Sequence, residues 1–340
     1  MKRMIHLGVI GYGYWGPNLV RNFTKFADCQ VDYVCDRYPE QLTKAAAQHP
    51  TIKATTDCRT LIEDRTLDAI VICSPLSTHY DLARQALSAG KHVLVEKPMA
   101  ATADQAMELI ELAEKHRRVL MVDHTFVYHP AVRKIRGLID DNQLGDLLYY
   151  DSVRVNLGLF QSDINVLWDL AVHDLSIMDF LLPTQPTAIS VHGISHFPDQ
   201  PTNMAYLTLF FSDTLLAHIH VNWLAPMKIR RILLGGSERM IVYDDLEPMT
   251  KIKICERGVR INNDPESIYQ VLYDYRSGDI HAPRLATTEA LESVVRHFLD
   301  CIEADSAPQT DGPSGLRLVR MLEAADRSLH RRGEIIELNL

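Results

Sequence analysis

The apolar positions of this chain fall into short runs, and their rhythm changes near residue 122. Residues 4–10 form a continuous apolar run of the kind that makes a buried strand, and a helical pattern opens at Pro17. Further strand-like runs cover 30–35, 52–55, 67–73, 92–95 and 118–122, and helical patterns fill 38–48, 58–64, the stretch from Ser77 to Gly90, and 102–116. Strand and helix alternate throughout, which predicts a doubly wound parallel sheet over residues 1–122.

Beyond that point the pattern is different. Residues 130–140 and 167–182 read as helices and 147–156 as a strand. Runs at 187–195, 203–211, 215–224, 228–235, 239–243 and 250–254 alternate apolar and polar positions across short links. That alternation predicts a large, mostly antiparallel sheet with one face covered by helices. Residues 259–284 read as a long loop holding a strand, 286–303 and 313–331 as amphipathic helices, and 334–338 as a last strand. The predicted architecture is therefore α/β with two domains, 1–122 and 123–340, the final helix being able to pack back on the first domain.

The first strand runs directly into Gly11-Tyr12-Gly13-Tyr14-Trp15-Gly16. Gly11 permits a sharp turn, Gly13 lets a pyrophosphate approach the backbone, and Gly16 lets the helix pack close to the strand. The helix start offers unpaired N–H groups to phosphate, so Gly11, Gly13, Tyr14, Trp15 and Gly16 are candidate cofactor residues. The second strand ends at Asp36, where a carboxylate accepts from a ribose 2′-hydroxyl and repels a 2′-phosphate, favouring NAD over NADP. Arg37 pulls the other way, since it can stack on adenine or attract a 2′-phosphate.

Composition narrows the class. A net charge of −9 without a basic cluster argues against a nucleic-acid partner. No stretch reaches the roughly 18 apolar residues of a spanning helix, and the apolar start is too short for a signal peptide. The six cysteines (Cys29, Cys35, Cys58, Cys73, Cys255, Cys301) show no Cys-x-x-Cys pair, which reads as reduced thiols in a cytoplasmic protein with no zinc site. His124, His129 and His173 lie on separate elements and lack ligand spacing, so no metal is expected.

Ligands of open α/β sheets sit beyond the carboxyl ends of the strands. Ser74, Pro75 and His79 follow one such end, and Glu96, Lys97 and Pro98 follow another, so both sets are candidate cofactor residues that would border the nicotinamide half of a dinucleotide bound at the first turn. Asp169 and His173 are four apart on a predicted helix, so their side chains share one face and the carboxylate can orient the imidazole. On these residues the chain resembles the glucose–fructose oxidoreductase / inositol dehydrogenase / rhizopine catabolism (Gfo/Idh/MocA) family: the glycine turn, Ser74-Pro75, Glu96-Lys97-Pro98 and Asp169-x-x-x-His173, over nearly the whole length. The resemblance implies a Rossmann domain followed by an α/β domain whose open sheet forms the face for homodimers or homotetramers. It implies hydride transfer between a sugar or cyclitol hydroxyl and NAD(P). Lys97 would hydrogen-bond the reacting hydroxyl, His173 would be the base and Asp169 would orient it or relay its proton; in some sugar-nucleotide members the lysine is the base, so the roles of Lys97 and His173 stay open. Where the family often has an aspartate three residues after the histidine, this chain has Ser176.

The turn Gly11–Asn18, the run Asp123–Pro130 and the run Asn156–Gln161 resemble the sugar-nucleotide branch, which oxidises C3 of a UDP-N-acetyl-hexosamine or its uronic acid. Tyr128, Arg154, Asn156 and Gln161 are then candidates for the substrate pocket beside Lys97, Asp169 and His173. The alternatives are a dehydrogenase of free sugar or inositol, and an NAD(P)-binding regulator without catalysis.

Overall fold

The computed structural model describes residues 3–158, 160, 163–211, 214–256, 258–261, 273–276 and 278–340. In chain order the first elements are β1 (Ile5–Ile10), α1 (Gly16–Phe23), β2 (Cys29–Cys35), α2 (Pro39–Gln48), β3 (Lys53–Thr55), α3 (Arg59–Glu63), β4 (Ala69–Ile72), α4 (Leu76–Ser88), β5 (His92–Glu96), α5 (Ala103–His116) and β6 (Leu120–Asp123). The six strands pair in parallel in the order β3-β2-β1-β4-β5-β6. β4 is buried at every position, because helices cover both faces of a parallel sheet. The order reverses direction between β1 and β4, the crevice where such sheets take ligands. The helix expected from Ser77 starts one residue earlier, since Pro75 already holds the extended N-cap backbone that a helix entry requires.

After a 3₁₀ turn at Thr125–Tyr128 come α6 (Pro130–Asp140), β7 (Leu147–Leu157), a π-helical turn (Leu167–Ala171) and α7 (Val172–Leu181). The strands β8 (Ala188–Ile194), β9 (Met204–Phe210), β10 (Leu216–Asn222), β11 (Leu224–Gly236), β12 (Met240–Asp244) and β13 (Ile252–Cys255) follow. Next are β14 (Gly258–Ile261), β15 (Tyr273–Arg276) and β16 (Ile280–His281), then α8 (Ala290–Ala304), α9 (Gly312–His330) and β17 (Ile336–Glu337). Nine strands form one sheet, β16-β13-β12-β11-β7-β10-β9-β8-β17, whose pairs are antiparallel except β7 with β10. Ala205, Leu207 and Leu209 of β9 and Ala217, Ile219 and Val221 of β10 are buried while their neighbours are not, so one face is core and the other open. β14 and β15 pair separately as a two-stranded ribbon.

The chain divides into two compact units. The first holds residues 1–129 and 288–320, the second 130–287 and 321–340, so the boundary lies at 129/130 and α8 rejoins the parallel sheet's unit. There the rings of Phe23 on α1 and Phe298 on α8 meet edge to face at 6.4 Å, and Arg21 bridges Glu289 at 2.7 Å. Among the described residues no helix is long and apolar enough to cross a membrane.

Candidate active site

In the first unit, Gly11, Gly13, Asp36, Arg37, Ser74 and Pro75 line one cleft of about 350 Å³ at the carboxyl ends of β1, β2 and β4. Gly11 has φ +98, and a Cβ there would come within 2.6 Å of the Cys73 carbonyl oxygen. A Cβ at Gly16 would overlap the Gly11 carbonyl oxygen, whereas one at Gly13 would meet nothing within 4 Å. The first and third glycines are thus demanded by the turn itself, and the second faces open space that a ligand can fill. Tyr14 and Trp15 stand exposed on the turn, their rings edge to face at 5.5 Å, outside the cleft lining.

Asp36 is held in place by backbone: Tyr12 N–H donates to one carboxylate oxygen at 2.7 Å and Tyr38 N–H to the other at 2.9 Å. Each oxygen keeps a lone pair, so the carboxylate can still accept from ribose hydroxyls. Arg37 lies over the Tyr38 ring, 4.7 Å from its centroid. Ser74 shares a hydrogen bond with Thr78 at 2.7 Å. His79 is buried below, its ring nitrogens 2.7 Å from the Ser74 carbonyl and 2.8 Å from that of Pro98. Burial lowers its pKa against the pull of those two carbonyls, and the ring ties the β4 end to the cis Lys97-Pro98 segment.

Glu96 and Lys97 follow at the end of β5, outside the lining of that cleft. Lys97 N–H donates to Glu96 Oε2 at 3.2 Å. Burial, then the neighbouring Asp123, raises the Glu96 carboxyl well above its ordinary range, and burial raises Asp123 to about 6. His124 is buried beside them, and burial followed by the Lys97 charge lowers it to about 3. Tyr128 sits in the core of this unit, its hydroxyl 3.1 Å from Thr310 Oγ1 and its ring near His297.

Asp169 and His173 belong to the second unit. Asp169 lies in the π-helical turn and His173 near the start of α7, one turn further along the chain. Trp223 Nε1 donates to Asp169 Oδ2 at 3.0 Å, and Ser176 Oγ donates to the His173 carbonyl at 2.7 Å. Trp223, almost wholly buried, adjoins Asn156 at Gly158 and meets Phe160 at 5.6 Å between ring centroids. Asn156 and Asp169 therefore share one cluster built on this tryptophan. Arg154 is buried and committed to Asp174, with Nε 2.6 Å from Oδ2 and Nη2 3.3 Å from Oδ1. Gln161 lies outside the described residues. The sequence reading missed Trp223, Asp123 and Asp326; Asp326 accepts from Asn165 Nδ2 at 2.8 Å and Trp168 Nε1 at 2.7 Å and so anchors the π turn. Asp123 opens the run 123–130 noted in the sequence, whereas Trp223 and Asp326 carry no local motif and only the fold makes them neighbours of the candidate residues. Among the described residues no group of histidines, cysteines and acids could hold a metal ion.

Known proteins share the two-part architecture. Residues 5–124 match an oxidoreductase family model with an NAD-binding Rossmann fold, and residues 132–242 match the GFO/IDH/MocA C-terminal domain. The uncharacterized oxidoreductase YdgJ of Escherichia coli is 33% identical over 76% of this chain and 76% of its own. UDP-N-acetylglucosamine 3-dehydrogenase of Acidithiobacillus ferrooxidans is 26% identical over 93% of this chain and 95% of its own. Its solved structure superposes with a TM-score of 0.81 and 25% identity, covering 96% of this chain and 98% of that one. Inositol 2-dehydrogenase/D-chiro-inositol 3-dehydrogenase of Lactiplantibacillus plantarum is 31% identical over 52% of each chain.

Proposed function

The chain belongs to the GFO/IDH/MocA oxidoreductases, and from that premise we propose that it oxidises a nucleotide sugar, at C3 of a UDP-N-acetyl-hexosamine or its uronic acid, with NAD as acceptor. The coarser statement stands without the proposal: this is an NAD(P)-dependent dehydrogenase acting on a CH–OH group. The choice of substrate is carried by one observation, the likeness to UDP-N-acetylglucosamine 3-dehydrogenase over almost the full length of both chains. NAD is preferred to NADP because Asp36 puts a fixed carboxylate in the cleft while Arg37 is drawn onto Tyr38.

The fit of the cleft to a dinucleotide rests on the open space at Gly13 and the lone pairs left on Asp36. The bound nicotinamide supplies a hydride acceptor, and the protein must manage the hydroxyl proton. In this reading His173 takes that proton, Asp169, held by Trp223, orients the imidazole, and Lys97 donates to the developing alkoxide. Lys97→Ala is expected to lower kcat by roughly 10²–10⁴ while leaving the NAD dissociation constant unchanged. We assign homo-oligomerisation, as a dimer or a tetramer, to the open face of the nine-stranded sheet, where Tyr206 stacks on His220 at 4.3 Å; sedimentation of wild type against Tyr206→Glu would test it.

The test of the substrate is NADH absorbance across UDP- and TDP-sugars, free sugars and inositols. Reduction with a UDP-N-acetyl-hexosamine alone supports the reading. Turnover of a free inositol instead supports the second reading, which the inositol dehydrogenase match favours over half of the chain.

A further inference from the structure

Two acids close neighbouring strands at the carboxyl end of the parallel sheet. Glu96 ends β5 and Asp123 ends β6, and the register makes them direct cross-strand partners. Both side chains are buried. Thr125 Oγ1 donates to Asp123 Oδ1 at 2.7 Å, and Lys97 N–H donates to Glu96 Oε2 at 3.2 Å. Asp123 Oδ2 is buried with no hydrogen-bond partner among the described residues, and Glu96 is its neighbour across the strand pair. Two ionised carboxylates facing each other out of water repel strongly, and a single proton held between them turns that repulsion into a hydrogen bond.

The other ionisable groups around the pair leave one compensating charge. Lys97 follows Glu96 in the chain, and its charge acts on both acids. His124, next to Asp123, is held neutral by burial, as is His79 beneath the Lys97-Pro98 segment. The Cys73 thiol at the end of β4 stays protonated through burial and the two acids themselves. A pair carrying one proton has one negative charge, which matches one ammonium. A fully protonated pair leaves the ammonium unbalanced, and a fully ionised pair overbalances it.

We propose that Glu96 and Asp123 share one proton and act as a single monoanion that positions the Lys97 side chain. The pair does not touch the reacting atoms in this scheme: both acids are positioning residues, and the inference rests on the role read above for Lys97. No bond other than that to the shared proton changes, and acidification adds a second proton from solvent.

Infrared spectroscopy of the whole protein, without cofactor or substrate, reads the proton directly. Wild type should show a protonated carboxyl C=O band at neutral pH, and Asp123→Asn should abolish it, the amide N–H then donating to an ionised Glu96. The profile of kcat/KM against pH gives the second reading. Its acid limb, where the pair takes up its second proton near pH 6, should move by about one pH unit in Asp123→Asn. A purely structural role would lower activity equally at every pH. If Asp123→Asn fails to fold, the wild-type spectrum with Glu96→Gln as the second variant decides. No acid band in wild type, a band that survives substitution, or superimposable pH profiles overturns the proposal. A band that behaves as expected together with a fully active Lys97→Ala overturns the positioning role through the failure of the lysine reading, a result distinct from absence of the shared proton.

Discussion

Glycines 11, 13 and 16 were legible as a trio, yet the structure gives them different burdens. Gly13→Ala should leave thermal stability near that of wild type and weaken NAD binding, because its Cβ enters space that no protein atom fills. Gly16→Ala should instead lower the melting temperature before any ligand is added, because its Cβ collides with the Gly11 carbonyl. Calorimetry and NAD titration of the two variants separate these outcomes. The ionisation state of single residues was not legible, since it depends on burial. His92 and His124 are lowered to about 4 and about 3 from 6.5, mainly by burial. Below pH 6.5 the unfolded chain binds protons that the folded chain refuses, so each costs up to about 1.4 kcal/mol per pH unit as the solution is acidified towards its folded value. Asp123, raised to about 6 from 3.8, has the opposite sign: the folded state holds its proton, and its contribution fades as pH rises through that interval. In wild type the Asp123 trend offsets only part of the histidine trend. Asp123→Asn should therefore lose stability on acidification below pH 6 more steeply than wild type, as calorimetry across that range would report.

At the scale of elements, the strands of the first unit were readable because a strand buried on both faces is apolar throughout, as β4 is. The helix over 167–182 was readable too, but its π-helical first turn was not. Apolar spacing reports a helix and carries little information about one extra residue in a turn. What sustains the turn comes from far along the chain: Asn165 Oδ1 accepts from the backbone N–H groups of Leu167 and Trp168, while Asp326 on α9 accepts from Asn165 and Trp168 side chains. Asp326→Ala strands the buried Trp168 N–H and should cost about 2–3 kcal/mol in urea unfolding. It should also lower kcat more than it raises KM, since the turn carries Asp169. Arg154 shows the converse limit: a polar residue on a strand reads as a binding residue until its partner, Asp174, is seen across the packing.

For the whole molecule, the change of rhythm near residue 122 announced two architectures. It could not announce that residues 288–320 return to the first, because an amphipathic helix states which face it buries and not against what. That return gives the protein an order of assembly. A ribosome delivers the parallel sheet before residues 130–287 of the second unit, yet the apolar side of α1 waits for α8, with Phe23 meeting Phe298 and Arg21 meeting Glu289 only after those residues have emerged. Emerging chains would carry an uncovered phenylalanine face while residues 130–287 are made, a state in which chaperones have something to hold.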